Sequence, residues 1–176
     1  MNKLSIPAFM LAFLVVFGTL SCKKEDPITP DPDPNPPVPT NPIVGQWKSV
    51  GADVAFLLSF AAQIDSIHAD FKANNTYTVA ARDTSGTILN YAGTYTATKS
   101  SSGNIYDIVL NQSAPDERTS RGIYEVYTAS PDSMKYEVVQ EVPSIPGFTP
   151  PTAAGGFGST VGVSNGWNIQ RFRRIN

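Results

Sequence analysis

The sequence predicts an all-β fold: an eight-stranded up-and-down antiparallel barrel with one short helix between strands 1 and 2. From about residue 43 onward, short segments alternate apolar and polar residues with the period of two that is typical of strands. Most of these segments are joined by short turns rich in Asn, Asp, Ser or Gly. A meander of this kind favours a barrel, because closure removes the exposed edges that a flat sheet would present.

The expected elements follow in order within residues 43–176. A first strand over residues 43–50 is followed by an amphipathic helix over residues 52–63, which Asp53 is placed to cap. Seven further strands are expected over residues 64–71, 76–82, 87–98, 104–110, 121–129, 134–140 and 167–175. Two longer connections remain, a polar loop over residues 111–120 and a Pro- and Gly-rich loop over residues 141–165.

The N-terminal segment has the pattern of an export signal. Residues 6–20 form an apolar run of about 15 residues, shorter than the roughly 20 that a membrane-spanning helix needs. Small residues then precede Cys22, the single cysteine of the chain. The stretch resembles a bacterial lipobox, and the resemblance implies cleavage before Cys22 and acylation of its thiol. The alternative is an ordinary secreted protein with an incidental cysteine.

Three parts of the chain are therefore expected: a signal peptide over residues 1–21, a lipidated Cys22 with a Pro- and Asp-rich tether over residues 22–42, and a folded domain over residues 43–176. The tether should be extended and polyproline-like, since proline supplies about half of its second part. Residues 23–26 resemble the export tag of surface lipoproteins of the Bacteroidota; the alternative is the charged start of a disordered linker. We expect lipid anchoring to the outer membrane, and surface display if the tag is used.

A family resemblance starts on the first strand, where Gly45 and Trp47 form a motif similar to the Gly-x-Trp signature of lipocalins and their calycin relatives. Residues 71–78 and 93–96 resemble the paired-strand pattern of lipocalin-like domains in bacterial lipoproteins. In lipocalins an arginine on the last strand packs across the signature tryptophan and closes one end of the barrel. The resemblance implies that Arg171 or Arg173 has this role here.

The expected mouth is the end of the barrel that carries the helix. In an up-and-down meander the odd-numbered connections share one end, and the helix and both longer loops belong to this set. Mouths of barrels are common ligand sites. The helix is either a lid over the mouth or a plug that fills it.

The seven tyrosines all lie on expected strands. A barrel of about eight strands is just wide enough to be filled by side chains or to hold one small ligand. Inward tyrosines therefore either line an amphipathic pocket or fill the core. Together with two helix leucines, the candidate ligand-lining residues are Tyr77, Tyr91, Tyr95, Tyr106, Tyr136, Leu57 and Leu58.

Composition and motifs exclude several classes of function. Charged residues make up 16% of the chain and the net charge is -2, so no basic surface suited to nucleic acid is predicted. His68 is the single histidine, and neither a metal-ligand cluster, a phosphate loop nor a nucleophile with its base is evident. We expect a monomer with no catalytic activity, no cofactor and no metal.

Two functions remain. The first is a membrane-anchored, lipocalin-like barrel that binds a small amphipathic or apolar ligand. The alternative is a non-catalytic interaction or structural surface lipoprotein that contacts a protein or glycan through its loops. A cavity of several hundred Å³ beneath the helix favours the first, and a filled barrel favours the second.

Overall fold

The computed structural model describes residues 41–164 and 166–175. The predicted signal peptide, Cys22 and all but the last two residues of the predicted tether lie outside the described residues. Within them the chain forms one helix, α1 (Phe56–Ala61), and eight strands. The strands are β1 (Gly45–Val50), β2 (Ile64–Phe71), β3 (Thr76–Asp83), β4 (Ile88–Lys99), β5 (Tyr106–Ala114), β6 (Arg118–Tyr127), β7 (Ser133–Val142) and β8 (Gln170–Ile175).

The eight strands form a closed antiparallel barrel. Each strand pairs with its neighbour in the sequence, and β8 pairs back with β1. At this seam Trp47 lies opposite Arg174 of β8, and on its other side it lies opposite Ala69 of β2. The predicted fold class is confirmed. None of the helices in the described part of the chain is long and apolar enough to cross a membrane.

The helix is shorter than the sequence predicts. Residues Gly51–Asp53 form a single 3-10 turn, and α1 begins only at Phe56. The buried Val54 and Ala55 between them have non-helical ψ angles of 134° and 132°, so a continuous helix from residue 52 does not form. The N-cap of α1 is accordingly Ala55 and not Asp53.

The polar loop predicted over residues 111–120 is mostly strand. β5 and β6 continue past the apolar segment, with Asn111 opposite Thr119 and Gln112 opposite Arg118. Only residues 115–117 remain as a turn. A ladder of backbone hydrogen bonds needs no apolar side chains, so the polar residues stay paired.

The two ends of the barrel differ. The closed end carries the short turns 72–75, 100–105 and 128–132, together with the entering chain before β1. The open end carries α1, the turns 84–87 and 115–117, and the long loop over residues 143–169. The largest fully buried side chains lie toward the closed end and include Trp47, Tyr95, Ile108, Tyr124 and Met134.

The long loop runs along the outer face of β7 and is not confined to the mouth. Glu137 points outward from β7 and is only 1% exposed, because the loop covers it. Its carboxylate accepts hydrogen bonds from the backbone N–H of Gly158 (2.6 Å) and of Thr160 (3.3 Å). Asn168 also donates its side-chain amide to the backbone oxygen of Val138. The loop therefore contributes to the stability of the barrel wall.

Candidate ligand-binding cavity

A cavity of about 330 Å³ lies inside the barrel, between the closed-end core and α1. Side chains from seven strands, β2 to β8, form its wall, and α1 covers it. Its aromatic lining consists of Phe71, Tyr77, Tyr91, Tyr136 and Phe172. The barrel is thus filled at one end and hollow at the other.

Small side chains account for the hollow. Ala69, Ala81 and Ser120 take inward positions on β2, β3 and β6, where larger residues would fill the space. A register shift between Ile64 and Ser66 in β2 interrupts the strict alternation, and both Ile64 and Ile67 line the cavity. The pattern of small and branched residues therefore leaves room for a guest molecule.

The cavity reaches solvent beside the helix. Three of its lining residues, Leu58, Ala62 and Leu89, are themselves exposed. None of the six residues of α1 is buried. Because the helix covers the mouth without filling the barrel, it has the form of a lid and not of a plug.

Gln170 fixes the segment that leads into the lid. Its side-chain oxygen accepts a hydrogen bond from the backbone N–H of Ala55 (2.9 Å). Its amide nitrogen donates to the hydroxyl of Ser49 and to the backbone oxygen of Asp53. Sequence analysis missed this residue, although it is two positions from Phe172 and therefore on the inward face of β8.

An aromatic rim, formed by Phe56, Phe60 and Trp167, borders the mouth. The ring centroid of Phe56 lies 5.6 Å from that of Phe60 and 4.6 Å from that of Trp167. The backbone N–H of Leu57 donates to the backbone oxygen of Trp167, which joins the lid to the long loop. Phe60 is 74% exposed, so the rim presents apolar surface to solvent.

The structure divides the predicted lining residues between the two halves of the barrel. Tyr77, Tyr91, Tyr136 and Leu58 line the cavity. The other three, Tyr95, Tyr106 and Leu57, do not border it. The distance of each inward tyrosine from the closed end decides which tyrosines line the cavity, whereas Leu57 lies on α1 and does not border it.

The two excluded tyrosines belong to the closed end. Tyr95 donates its hydroxyl to the backbone oxygen of Lys72 (3.0 Å). Tyr106 stacks on Tyr124, with 5.1 Å between ring centroids. These side chains fill the core, which is the alternative that the sequence left open for tyrosines.

The hydroxyls of Tyr77 and Tyr136 differ from that of Tyr95. Neither has a hydrogen-bond partner within the described part of the chain, although Tyr77 is only 4% exposed. Burial raises the pKa of Tyr77 to about 12. Burial also raises the pKa of Tyr136, and the nearby Tyr77 phenol adds to the shift. Both hydroxyls are neutral at physiological pH and are able to donate.

The arginine at the closed end is Arg174, so the assignment to Arg171 or Arg173 was wrong. The guanidinium carbon of Arg174 lies 4.2 Å from the ring centroid of the fully buried Trp47. Arg174 is two residues beyond Phe172 and shares its inward face, whereas Arg171 and Arg173 face outward and are exposed. Arg173 instead approaches Asp53, with 3.6 Å between Nε and Oδ2.

Gly45 is required because the guanidinium passes directly over it. Gly45 has a φ of 133°, and a Cβ at this position would collide with Nη1 of Arg174. Arg174 donates to the backbone oxygens of Val44 (2.7 Å) and Pro42 (2.9 Å), and its Nε donates to Asp132 (3.0 Å). The Gly-x-Trp motif thus packs as one unit with an arginine of the last strand.

Little else in the described residues suggests chemistry. They contain no group of three side chains suited to hold a metal ion, and His68 lies exposed on the outer face of β2. The chain was compared with protein-family models, with curated proteins and with solved structures, and none of the three comparisons found a match.

Proposed function

We propose that this protein is a lipid-anchored binding protein whose barrel takes up a small, apolar ligand through its open end. The cavity beneath α1 is the observation that carries the proposal. Its volume of about 330 Å³ falls in the lower part of the range of about 300 to 1,000 Å³ that is typical of small-molecule sites. A barrel kept only for structural reasons has no need of such a hollow, because empty space forfeits packing contacts.

The surfaces of the cavity and of its mouth support the same proposal. Most of the lining is apolar, and transfer of apolar ligand surface out of water contributes roughly 25 cal/mol per Å². Exposed apolar patches on a protein surface commonly mark binding sites, and the aromatic rim stands beside the opening. An apolar molecule therefore meets apolar surface from the rim to the cavity floor.

A cavity-filling variant tests the proposal. Ala81→Leu adds volume inside the cavity, whereas Ala80→Leu adds the same volume on the outer face of the same strand. The uncharged fluorescent probe N-phenyl-1-naphthylamine should bind the wild type and Ala80→Leu with similar affinity. Ala81→Leu should bind it at least about tenfold more weakly, while its unfolding free energy should change by less than about 1.5 kcal/mol.

Two results would contradict the binding function. One is a wild-type protein that shows no saturable increase in probe fluorescence. The other is an equal loss of affinity in Ala80→Leu and Ala81→Leu, which would place the probe outside the barrel.

Anchoring is the part of the proposal that the sequence supports, through the resemblance around Cys22 to a lipobox. Stable anchoring needs more than one acyl chain, and in lipoproteins the modified cysteine carries them all. Cys22→Ala should therefore move the protein from the membrane fraction to the soluble fraction and abolish labelling by a radioactive fatty acid. A wild-type protein that takes up no label and fractionates as soluble would contradict the anchor.

Surface display is supported by residues 23–26 and by the predicted tether. Protease added to intact cells should cleave the protein at the tether. Protection in intact cells with cleavage only after lysis would place the protein on the periplasmic side. Binding by the barrel does not depend on this result.

The interaction function has one observation in its favour. A groove of about 360 Å³ on the outer face of β7 and β8 is lined by Lys135, Arg171, Arg173 and Asp53, and its excess of positive charge suits an acidic partner. The double variant Arg171→Glu and Arg173→Glu should leave probe binding unchanged if the cavity is the functional site. Loss of a cellular phenotype in that variant alone would favour the interaction function.

A further inference from the structure

We infer that the ligand of the cavity is uncharged and carries a hydrogen-bond acceptor oxygen, such as the oxygen of a ketone, an ester or an alcohol, which binds the hydroxyls of Tyr77 and Tyr136. The inference rests on the proposed binding function and adds to it the polar group of the ligand. It is carried by the position of these two tyrosines in the cavity and by the absence of hydrogen-bond partners for their hydroxyls within the described residues.

The two tyrosines lie together at the inner end of the cavity. Tyr77 is the second residue of β3, next to the closed-end turn 72–75. Phe71, the last residue of β2 before the same turn, packs against both rings, with 6.0 Å from its ring centroid to that of Tyr77 and 6.4 Å to that of Tyr136. A ligand that enters from the mouth therefore meets both phenols at the cavity floor.

The hydroxyls of this pair have no hydrogen-bond partner within the described residues, although both side chains lie inside the barrel. Buried hydroxyls are normally hydrogen-bonded, and Tyr95 and Tyr124 at the closed end follow this rule. In the described part of the chain no side-chain N or O atom is both sealed from solvent and unpaired. The hydroxyls of Tyr77 and Tyr136 consequently open onto the cavity, where a ligand atom can accept from them.

The lining selects against charge. Among the described residues, no Lys, Arg, His, Asp or Glu lines the cavity. A carboxylate or an ammonium group placed here would lose its hydration without gaining an opposite charge, which is costly. Phenols with raised pKa values remain protonated, so they offer donors and no anion. The matching group on the ligand is a neutral acceptor oxygen.

Three probes of one shape test the inference. 2-Acetylnaphthalene carries a carbonyl oxygen, 2-isopropylnaphthalene replaces that oxygen by a methyl group, and 2-naphthoate replaces the acetyl group by a charged carboxylate. Their affinities are measured by fluorescence titration for the wild type, Tyr77→Phe, Tyr136→Phe and the double variant. Tyr95→Phe is the control, because its hydroxyl is already occupied by Lys72 at the closed end.

The wild type should prefer the ketone over the hydrocarbon by about tenfold and should bind 2-naphthoate most weakly. Each of Tyr77→Phe and Tyr136→Phe should weaken ketone binding about 3- to 10-fold and leave hydrocarbon binding unchanged. Both single variants should unfold at the wild-type denaturant concentration, because neither loses a hydrogen bond to another described residue. Tyr95→Phe should unfold earlier and bind both neutral probes as the wild type does.

Equal affinity of the wild type for ketone and hydrocarbon, unchanged in the double variant, would overturn the inference and leave the binding function intact. This result is also expected if a water molecule already satisfies the two hydroxyls. Tighter binding of 2-naphthoate than of the ketone would overturn it as well. Failure of all three probes to bind the wild type would instead count against the binding function itself.

Discussion

Both ends of this barrel carry aromatic side chains, but the surroundings of those side chains differ. At the closed end, the hydroxyl of Tyr95 has a partner and the ring of Trp47 is completely buried beneath Arg174. In the hollow part of the barrel, Tyr77 keeps a hydroxyl that has no partner within the described chain, and at the open end Phe60 faces solvent. Residue type alone therefore does not show whether an aromatic residue stabilises the core or is available for binding. The burial of its ring and the presence of a hydrogen-bond partner for its polar group distinguish the two cases.

The difference indicates where stability and binding are located. Buried rings and satisfied donors contribute to the free energy of folding. Exposed rings and unpartnered donors contribute little to folding and remain available to a ligand. Substitutions at the closed end should thus change unfolding, and substitutions at the open end should change binding.

The two tryptophans give the largest expected contrast. Trp47→Ala should lower the unfolding free energy by about 3 to 5 kcal/mol, because it leaves a cavity in the closed-end core. Trp167 is 45% exposed in the aromatic rim, so Trp167→Ala should lower the unfolding free energy by only about 0.5 to 1.5 kcal/mol. The unfolding free energies of both variants are measured by urea denaturation. Similar losses for the two would remove the distinction between the ends.

The arginines of β8 give a contrast of intermediate size. Arg174→Ala should cost about 1.5 to 3 kcal/mol, because it removes hydrogen bonds from a charged group to Val44, Pro42 and Asp132. Arg173→Ala removes the ion pair between the exposed Arg173 side chain and Asp53 and should cost less than about 1 kcal/mol. Thermal unfolding distinguishes them, and an equal effect would show that Arg174 does not close the barrel.

Acid should weaken the closed end through Asp132. The backbone N–H of Ala129 and then the Arg174 guanidinium hold the pKa of this carboxyl below its usual value. A depressed pKa in the folded state means that the stabilisation is complete above the unfolded pKa of about 3.9 and is lost as pH falls through the lower folded value. Asp132→Asn should therefore lose less stability than the wild type between about pH 5 and pH 2.

Tryptophan fluorescence tests whether the acid-induced loss of stability arises at the closed end. In a Trp167→Phe background the emission reports on Trp47 alone, beside the Asp132 and Arg174 pair. The acid-induced change in emission should shift when Asp132 is replaced by Asn. An acid response identical in both proteins would assign the loss of stability to other carboxyl groups, such as that of Asp83. The pKa of Asp83 is also lowered, and the hydrogen bond from the Ser85 hydroxyl is the largest cause.

The barrel was predictable because most inward positions of its strands are apolar and alternate strictly. The prediction failed over residues 111–120, where the inward positions Gln112 and Ser120 are polar and the alternation disappears. Both residues line the cavity. The pattern that identifies strands is therefore weakest where the wall faces the cavity and not the packed core.

Other features depended on tertiary contacts that no local pattern contains. The long loop, predicted over residues 141–165, was expected at the mouth, but the buried carboxylate of Glu137 fixes part of it along β7. Which tyrosines line the cavity depends on how far each of them lies from the closed end, and the sequence pattern does not contain that distance. The position of Arg174 could have been found, since strand parity places it on the face of Phe172.

The contact between Arg174 and Val44 should also affect the order in which the domain folds. These residues are 130 positions apart in the sequence, whereas each of the hairpins from β2 to β7 joins near neighbours. Closing so long a loop carries a large entropic cost before any contact compensates it, and folds with distant contacts form slowly. Hairpins should therefore form early and the seam last. A seam that closes last would keep the chain open after synthesis, which suits the export that the proposed lipid anchor requires.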